Sequence, residues 1–203
     1  MTPARIELLL FDLGGVLVDF TGAKEIGRLL REPLSESEIR ARWGSCPHLR
    51  EFEIGAISPA EFTSRFMASW GVRVPEEEFL RAFESWNVGF YPGASELLDE
   101  LRPYFRLAAL SNSNELHWSR NERVFQISTL FERALSSHQL GAHKPDYRIY
   151  TRALEELRAQ PEAVAFFDDN LPNVEAAASL GMHAHHVQGV AETRSCLERA
   201  GLL

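Results

Sequence analysis

Asp12, Ser111, Lys144, Asp168 and Asp169 are the residues of this 203-residue chain whose types and placement could do chemistry together. Asp12 follows one apolar run, Ser111-Asn112 closes a second, and Asp168-Asp169-Asn170 closes another. Lys144 stands in Gly141-Ala142-His143-Lys144-Pro145, just ahead of a helix start near Asp146. In one crevice they would supply three carboxylates, an ammonium, a hydroxyl and turn backbone. Clustered carboxylates repel one another and call for a cation, and ligation by oxygen alone suits magnesium. Such a cation beside a lysine, a hydroxyl and exposed backbone N–H groups suits a phosphoryl group.

The elements that must position these residues are legible in the hydrophobic pattern. Residues 5–11, 106–111, 133–136, 163–168 and 183–187 are short apolar runs of strand length, with helical segments between the later ones. That alternation predicts an α/β fold, a parallel sheet with helices on its faces, in which ligands collect outside the carboxyl ends of the strands. The segment from about 20 to 88 shows no convincing strand. Its helix starts are clear: Ser35-Glu36-Ser37-Glu38 has a capping-box pattern, Ser58-Pro59-Ala60-Glu61 adds proline at the first helical position, and Val74-Pro75-Glu76-Glu77 puts acids in a first turn. An all-helical insert therefore follows the first strand, and the alternation resumes after Tyr91-Pro92-Gly93.

Each polar cluster has a plain structural reading by itself. An aspartate after a strand is ordinarily a turn or cap residue, Lys144 before a proline a solvated lysine, and Ser111-Asn112-Ser113-Asn114 a polar turn. Their coincidence in one order at the strand ends is what argues for chemistry. Composition narrows the partners. A net charge of −8, with no basic cluster, argues against nucleic acid and anionic membranes. Met1-Thr2-Pro3-Ala4-Arg5 leads into an apolar stretch broken by Glu7 and Asp12, which reads as neither signal peptide nor membrane span. Cys46 and Cys196 have no metal-ligand spacing and read as buried fillers in a reducing, cytoplasmic compartment. Nothing in the sequence speaks to oligomeric state.

The segments FDLGGVLVD, LAALSNSN, HKPDYRIY and AFFDDNLPNVEAAASLGMHA, in this order and with a helical insert after the first, resemble the four motifs of the haloacid dehalogenase-like (HAD) hydrolase superfamily. The resemblance implies a Rossmann-like core over 1–16 and 90–203, with a helical cap over 17–89. Within the superfamily the chain is most similar to small sugar-phosphate phosphatases, such as those acting on alpha-D-glucose 1-phosphate. It implies that Asp12 is the nucleophile and becomes an aspartyl-phosphate. Asp12, the carbonyl of Gly14 and Asp169 would bind Mg²⁺, with Asp168 holding a water on the metal. Ser111, the N–H of Asn112 and the N–H groups of Leu13, Gly14 and Gly15 would bind phosphate oxygens, and Lys144 would neutralise both phosphate and Asp12. Asn173 could support the loop of Asp169.

Gly14 departs from the pattern, because most phosphatases of the superfamily carry there a second aspartate that protonates the leaving alcohol. Glycine at 14 would let backbone approach phosphate and metal, with a leaving group that departs with little protonation. Alternatively the cap supplies the acid, with His48 and Glu51 as candidates; Arg50 could select an anionic substrate. Trp43, Trp70 and Trp86 read as cap core, and His183, His185 and His186 as structural or solvent-facing. The expected function is hydrolysis of a small phosphorylated metabolite. A dehalogenase-type hydrolase or a non-catalytic phosphometabolite- or protein-binding module are the alternatives. Carbon–halogen cleavage needs no magnesium, so paired Asp168-Asp169 argues against the first.

Overall fold

Leu8 and Leu10 fall in one buried cluster and Leu9 and Phe11 in another, so the first strand, β1 (Leu8–Phe11), is buried on both faces. That is the requirement on a central parallel strand. The computed structural model describes residues 5–203. Residues 1–4, which begin both the expected core segment and the N-terminal stretch discussed above, lie outside the described residues.

The remaining strands are β2 (Val18–Phe20), β3 (Asn87–Phe90), β4 (Arg106–Ser111), β5 (Arg133–Ser136), β6 (Val164–Asp168) and β7 (His183–His186). Four of them join β1 in a sheet of order β5-β4-β1-β6-β7, with every pairing parallel. Phe11 stands beside Ala109 and Phe167, and β4 and β6 run on to Ser111 and Asp168, so the carboxyl ends of β1 and its two neighbours lie together. From β1 the order runs outward in both directions. The crevice at its carboxyl end is therefore the switch point where an open α/β sheet takes ligands.

Five helices separate β2 from β3: α1 (Gly22–Leu29), α2 (Glu36–Gly44), α3 (Pro47–Glu53), α4 (Pro59–Trp70) and α5 (Glu76–Glu84). Ser35 and Ser58 close the capping boxes that their sequences announce. Phe52, Phe62, Phe66, Phe79, Phe83 and Trp86 make the insert's own buried cluster. Each such side chain contributes roughly 1.5–3 kcal/mol on burial, so the insert carries an apolar core of its own above the sheet. Trp70 and Trp86 are core, as expected, and Cys46 fills space beside Trp70, whose Nε1–H donates to its Sγ at 3.4 Å.

One expectation is corrected. The insert is not free of strand at its edges: β2 and β3 pair antiparallel and carry the chain out and back. Strands of three and four residues are too short to display alternation, so periodicity misses them.

The core helices are α6 (Ala94–Leu101), α7 (Glu115–Phe125), α8 (Ile127–Leu130), α9 (Ser137–Leu140), α10 (Tyr147–Leu157), α11 (Leu171–Ser179) and α12 (Gly189–Arg199). Residues of α6, α7 and α12 cover one face of the sheet, and residues of α10 and α11 the other. β7 is an edge strand, with His183 and His186 exposed. Among the described residues no helix is long and apolar enough to cross a membrane.

Candidate active site

Asp12 extends the ladder of β1 by one residue, its N–H donating to the carbonyl of Phe167 at 2.8 Å. The chain then folds sharply: the N–H groups of Val16, Leu17 and Val18 all donate to the carbonyl of Leu13, at 3.3, 2.9 and 2.7 Å. Leu13, Val16 and Leu17 are buried and pin the turn into the core. Within it, Gly15 has φ +77°, and a Cβ there would lie 2.2 Å from Oδ2 of Asp169. Gly14 is different. It is not in the left-handed region, and a Cβ would meet nothing within 4 Å. The protein's own packing thus demands glycine at 15 rather than at 14.

Lys144 is 1% exposed, and its ammonium spends all three donors on the floor of the crevice. They reach Asp168 Oδ2 at 2.6 Å, Leu110 O at 2.8 Å and Asp12 Oδ1 at 2.9 Å. Burial works against this charge, yet Asp12 and Asp168 hold the ammonium above its ordinary range. Asp12 is the complement. Burial, reinforced by Asp168 and Asp169 and opposed by Lys144, pushes its carboxyl up to about 7. Its Oδ1 accepts from Lys144 and from the N–H of Leu13 at 2.8 Å, so that oxygen is fixed.

Asp168 is wholly buried and saturated: Oδ1 accepts from Asn173 Nδ2 and Asn170 N–H, each at 2.9 Å, and Oδ2 from Lys144. Asn173 therefore braces this carboxylate. Asp169 is more open; burial raises its carboxyl, with Asp168 adding and Lys144 opposing. His186 Nε2 lies 2.9 Å from its carbonyl oxygen. Ligand oxygens of Asp12, Asp168 and Asp169 lie within 4.8 Å of one another.

Ser111 and Asn112 reach the same cavity. The Asn112 amide clamps the lysine segment, Oδ1 accepting from Lys144 N–H at 2.8 Å and Nδ2 donating to Lys144 O at 3.0 Å. This clamp explains how Lys144, remote in sequence, is presented to Asp12. The crevice is a cavity of about 440 Å³. Asp12, Leu13, Gly14, Gly15, Ser111, Asn112, Lys144 and Asp169 line it, while Asp168 stands behind them.

The insert closes the cavity with residues that the sequence did not assign to a site. Arg40, Trp43 and Glu53 line it, as do Phe20, Asn87 and Asn121 beside the crossing strands. Trp43 thus serves the cavity as well as the insert core. Arg50 lines it too, but His48 and Glu51 do not: they lie 3.5 Å from each other, and Glu51 turns to Arg65 at 3.3 Å. The two acid candidates in the insert are corrected accordingly. A signal for Glu53 was present, since Arg50 and Glu53 are neighbours on α3 at a spacing of three, beside the buried Leu49 and Phe52. His117, also on the cavity, is pinned by Phe83 O at 2.7 Å and Asn114 Nδ2 at 3.1 Å, and burial lowers it to about 4. It is neutral and joins the core to the insert.

A family model described as haloacid dehalogenase-like hydrolase matches residues 6–181. A phosphatase of Mycobacterium tuberculosis is 30% identical over 205 residues, covering 96% of this chain and 93% of its own. D-ribitol-5-phosphate phosphatase of Bacteroides thetaiotaomicron is 23% identical over 200 residues, covering 93% and 95%. Among solved structures, a HAD family enzyme from the same organism, in complex with magnesium and inorganic phosphate, matches with a TM-score of 0.73 and 26% identity. The match covers 90% of this chain and 94% of that one.

Proposed function

This chain belongs to the haloacid dehalogenase-like hydrolases, and we propose that it is a magnesium-dependent phosphomonoester hydrolase that works through an aspartyl-phosphate on Asp12. The observation that carries this reading is the buried bridge of Lys144 between Asp12 and Asp168 at 2.9 and 2.6 Å, with Asp169 beside it. A dehalogenating or merely ligand-holding site has no need of three clustered carboxylates.

The donor set fits magnesium. It consists of oxygen alone, and the three carboxylates exceed the charge of Lys144 by two. Asp12, Asp169 and the carbonyl of Gly14 would hold the ion, with Asp168 supporting from behind. When bound, it would offset the charge of the phosphate and of Asp12, so that the two can approach.

The chain's own residues do the rest. Lys144 and the N–H of Leu13 hold one oxygen of Asp12 and orient the carboxylate toward phosphorus. Ser111, the N–H of Asn112 and the N–H of Gly14 bind the phosphoryl oxygens; the other two N–H groups expected to do so are already donated, that of Leu13 to Asp12 Oδ1 at 2.8 Å and that of Gly15 to Val18 O at 3.0 Å. Attack by an Asp12 oxygen forms a new O–P bond while the bond to the leaving oxygen breaks, and the freed alkoxide takes a proton from water. Water then cleaves the aspartyl-phosphate to inorganic phosphate and restores Asp12. With glycine at 14 no acid stands beside the leaving oxygen from that turn. General acid help is worth roughly 10²–10⁴ in rate, so its loss matters least for an acidic leaving group. An anomeric hydroxyl is one, which favours a sugar 1-phosphate as substrate.

We infer a core over 1–16 and 90–203 and a cap over 17–89; the antiparallel pairing of β2 with β3, at the two ends of the insert, supports this division. The test is a phosphate-release screen over sugar phosphates, nucleotides and phosphorylated acids, with and without Mg²⁺. Release that requires Mg²⁺ supports the reading. Chloride release from 2-chloropropionate without phosphate release overturns it.

A further inference from the structure

We propose that Glu53, held by His143, reads a hydroxyl group on the leaving group, so that the site selects phosphomonoesters of a sugar or polyol over esters that lack hydroxyls. This rests on the phosphatase reading above and names the substrate class of the same site.

Glu53 ends α3, lines the cavity and lies 2.9 Å from His143 across the boundary between insert and core, Oε2 to Nε2. The proton arrangement of this pair follows from Asn112. Two backbone groups of Lys144 fix the Asn112 amide, so its Nδ2 is the atom facing His143 Nδ1, at 3.2 Å. Nδ2 is a donor and Nδ1 must accept. His143 therefore carries its proton on Nε2 and donates it to Glu53. A second, backbone contact fixes the same end of α3: Ser137 Oγ donates to the carbonyl of Glu53 at 2.6 Å. The carboxylate is oriented from two sides, and its other oxygen, Oε1, has no hydrogen-bond partner among the described residues.

A carboxylate only accepts, so its complement on a substrate is a donor. The neighbouring charges decide which donor. Arg50 lines the cavity on the same side of α3 and has no acid within ion-pair distance among the described residues. Arg40 lines it too, its guanidinium shared with Glu36 at 2.6 Å. Two guanidinium groups disfavour an ammonium there. A hydroxyl suits both partners, donating to Glu53 and accepting from Arg50.

The experiment uses the full chain with Mg²⁺ and measures kcat and KM on hexose and pentitol phosphates, on p-nitrophenyl phosphate and on phosphoglycolate. The parent is expected to prefer the hydroxylated esters over phosphoglycolate; p-nitrophenyl phosphate, whose acidic leaving group departs readily by itself, serves as the reference for the chemical step. In Glu53→Gln the loss of kcat/KM on those esters should exceed the loss on p-nitrophenyl phosphate by about tenfold or more, mostly through KM, because the amide oxygen takes the N–H of His143 and leaves a donor NH₂ where the substrate hydroxyl needs an acceptor. His143→Gln, which keeps an N–H for Glu53, should retain more of the preference than His143→Leu, with thermal melts confirming that each variant folds. Equal losses on all substrates, or a parent that prefers phosphoglycolate, overturn the proposal and leave the phosphatase reading standing. A parent that releases phosphate from none of these esters removes both.

Discussion

A Cβ at residue 15 would lie 2.2 Å from Oδ2 of Asp169, whereas the neighbouring Gly14 faces open space. The turn after Asp12 and the loop after β6 are thus fitted to each other through the one missing side chain. Gly15→Ala must move Asp169 and also strains a left-handed residue, a combined cost on the order of 1–3 kcal/mol. Phosphate release should fall at least hundredfold and the melting temperature should drop. Gly14→Ala should melt within a few degrees of the parent; a large drop there would mean that position 14 has a constraint the packing does not show.

Lys144 neutralises two buried carboxylates at once, so removing it should harm stability as well as rate. Lys144→Ala is expected to cost about 3–5 kcal/mol of stability and on the order of a hundredfold or more in turnover. Asp12→Asn separates the two effects. The amide keeps the shape of the carboxylate but is a far poorer nucleophile, so turnover should vanish while a folded melt remains. Normal turnover in Asp12→Asn, with no aspartyl-phosphate trapped in the parent, would remove Asp12 as nucleophile.

Metal dependence should be coupled to pH through Asp12. Its carboxyl is raised to about 7 in the folded protein, from 3.8. The native state therefore binds this proton more tightly than the unfolded chain. The resulting stabilisation is complete below about pH 3.8 and is lost as pH rises through about 7. Magnesium competes with that proton. The rise in melting temperature on adding Mg²⁺ should be larger at pH 8 than at pH 5, and the difference should shrink in Asp12→Asn. EDTA should abolish phosphate release and Mg²⁺ restore it; full activity in EDTA would overturn the metal assignment.

His117 works in the opposite sense. Burial lowers it from 6.5 to about 4, so the unfolded chain takes up the proton first and stability falls as pH drops through that window. The size is on the order of 3 kcal/mol. His117→Gln, which keeps a donor for Phe83 O, should lose less stability than the parent between pH 6.5 and 4 in urea titrations. Parallel curves for the two proteins would show that His117 is not the group responsible.

The core was largely legible because its signals are local. β4, β5 and β6 fall where apolar runs predict them, and the helices of the insert begin at Ser35 and Ser58 as their capping boxes announce. The alignment of Asp12, Ser111 and Asp168 at one sheet end follows from strand order, which alternating β and α segments constrain strongly. The ribbon of β2 and β3 escaped, being too short for a period.

What the sequence by itself determined is the set of groups on the floor of the cavity: they sit immediately after strands, and a strand's register carries its last residue to a predictable place. Only the tertiary structure decided the walls. That Glu53 and Arg50, rather than His48 and Glu51, line the cavity depends on how α3 is rotated above the sheet. Its contacts with α9 set that rotation, through Ser137 Oγ on Glu53 O and the close approach of Gly55 to His138 O. The pairings of Lys144 with Asp168 and of His143 with Glu53 join residues 24 and 90 positions apart. Such contacts follow from where two packed units meet, and no local period encodes that.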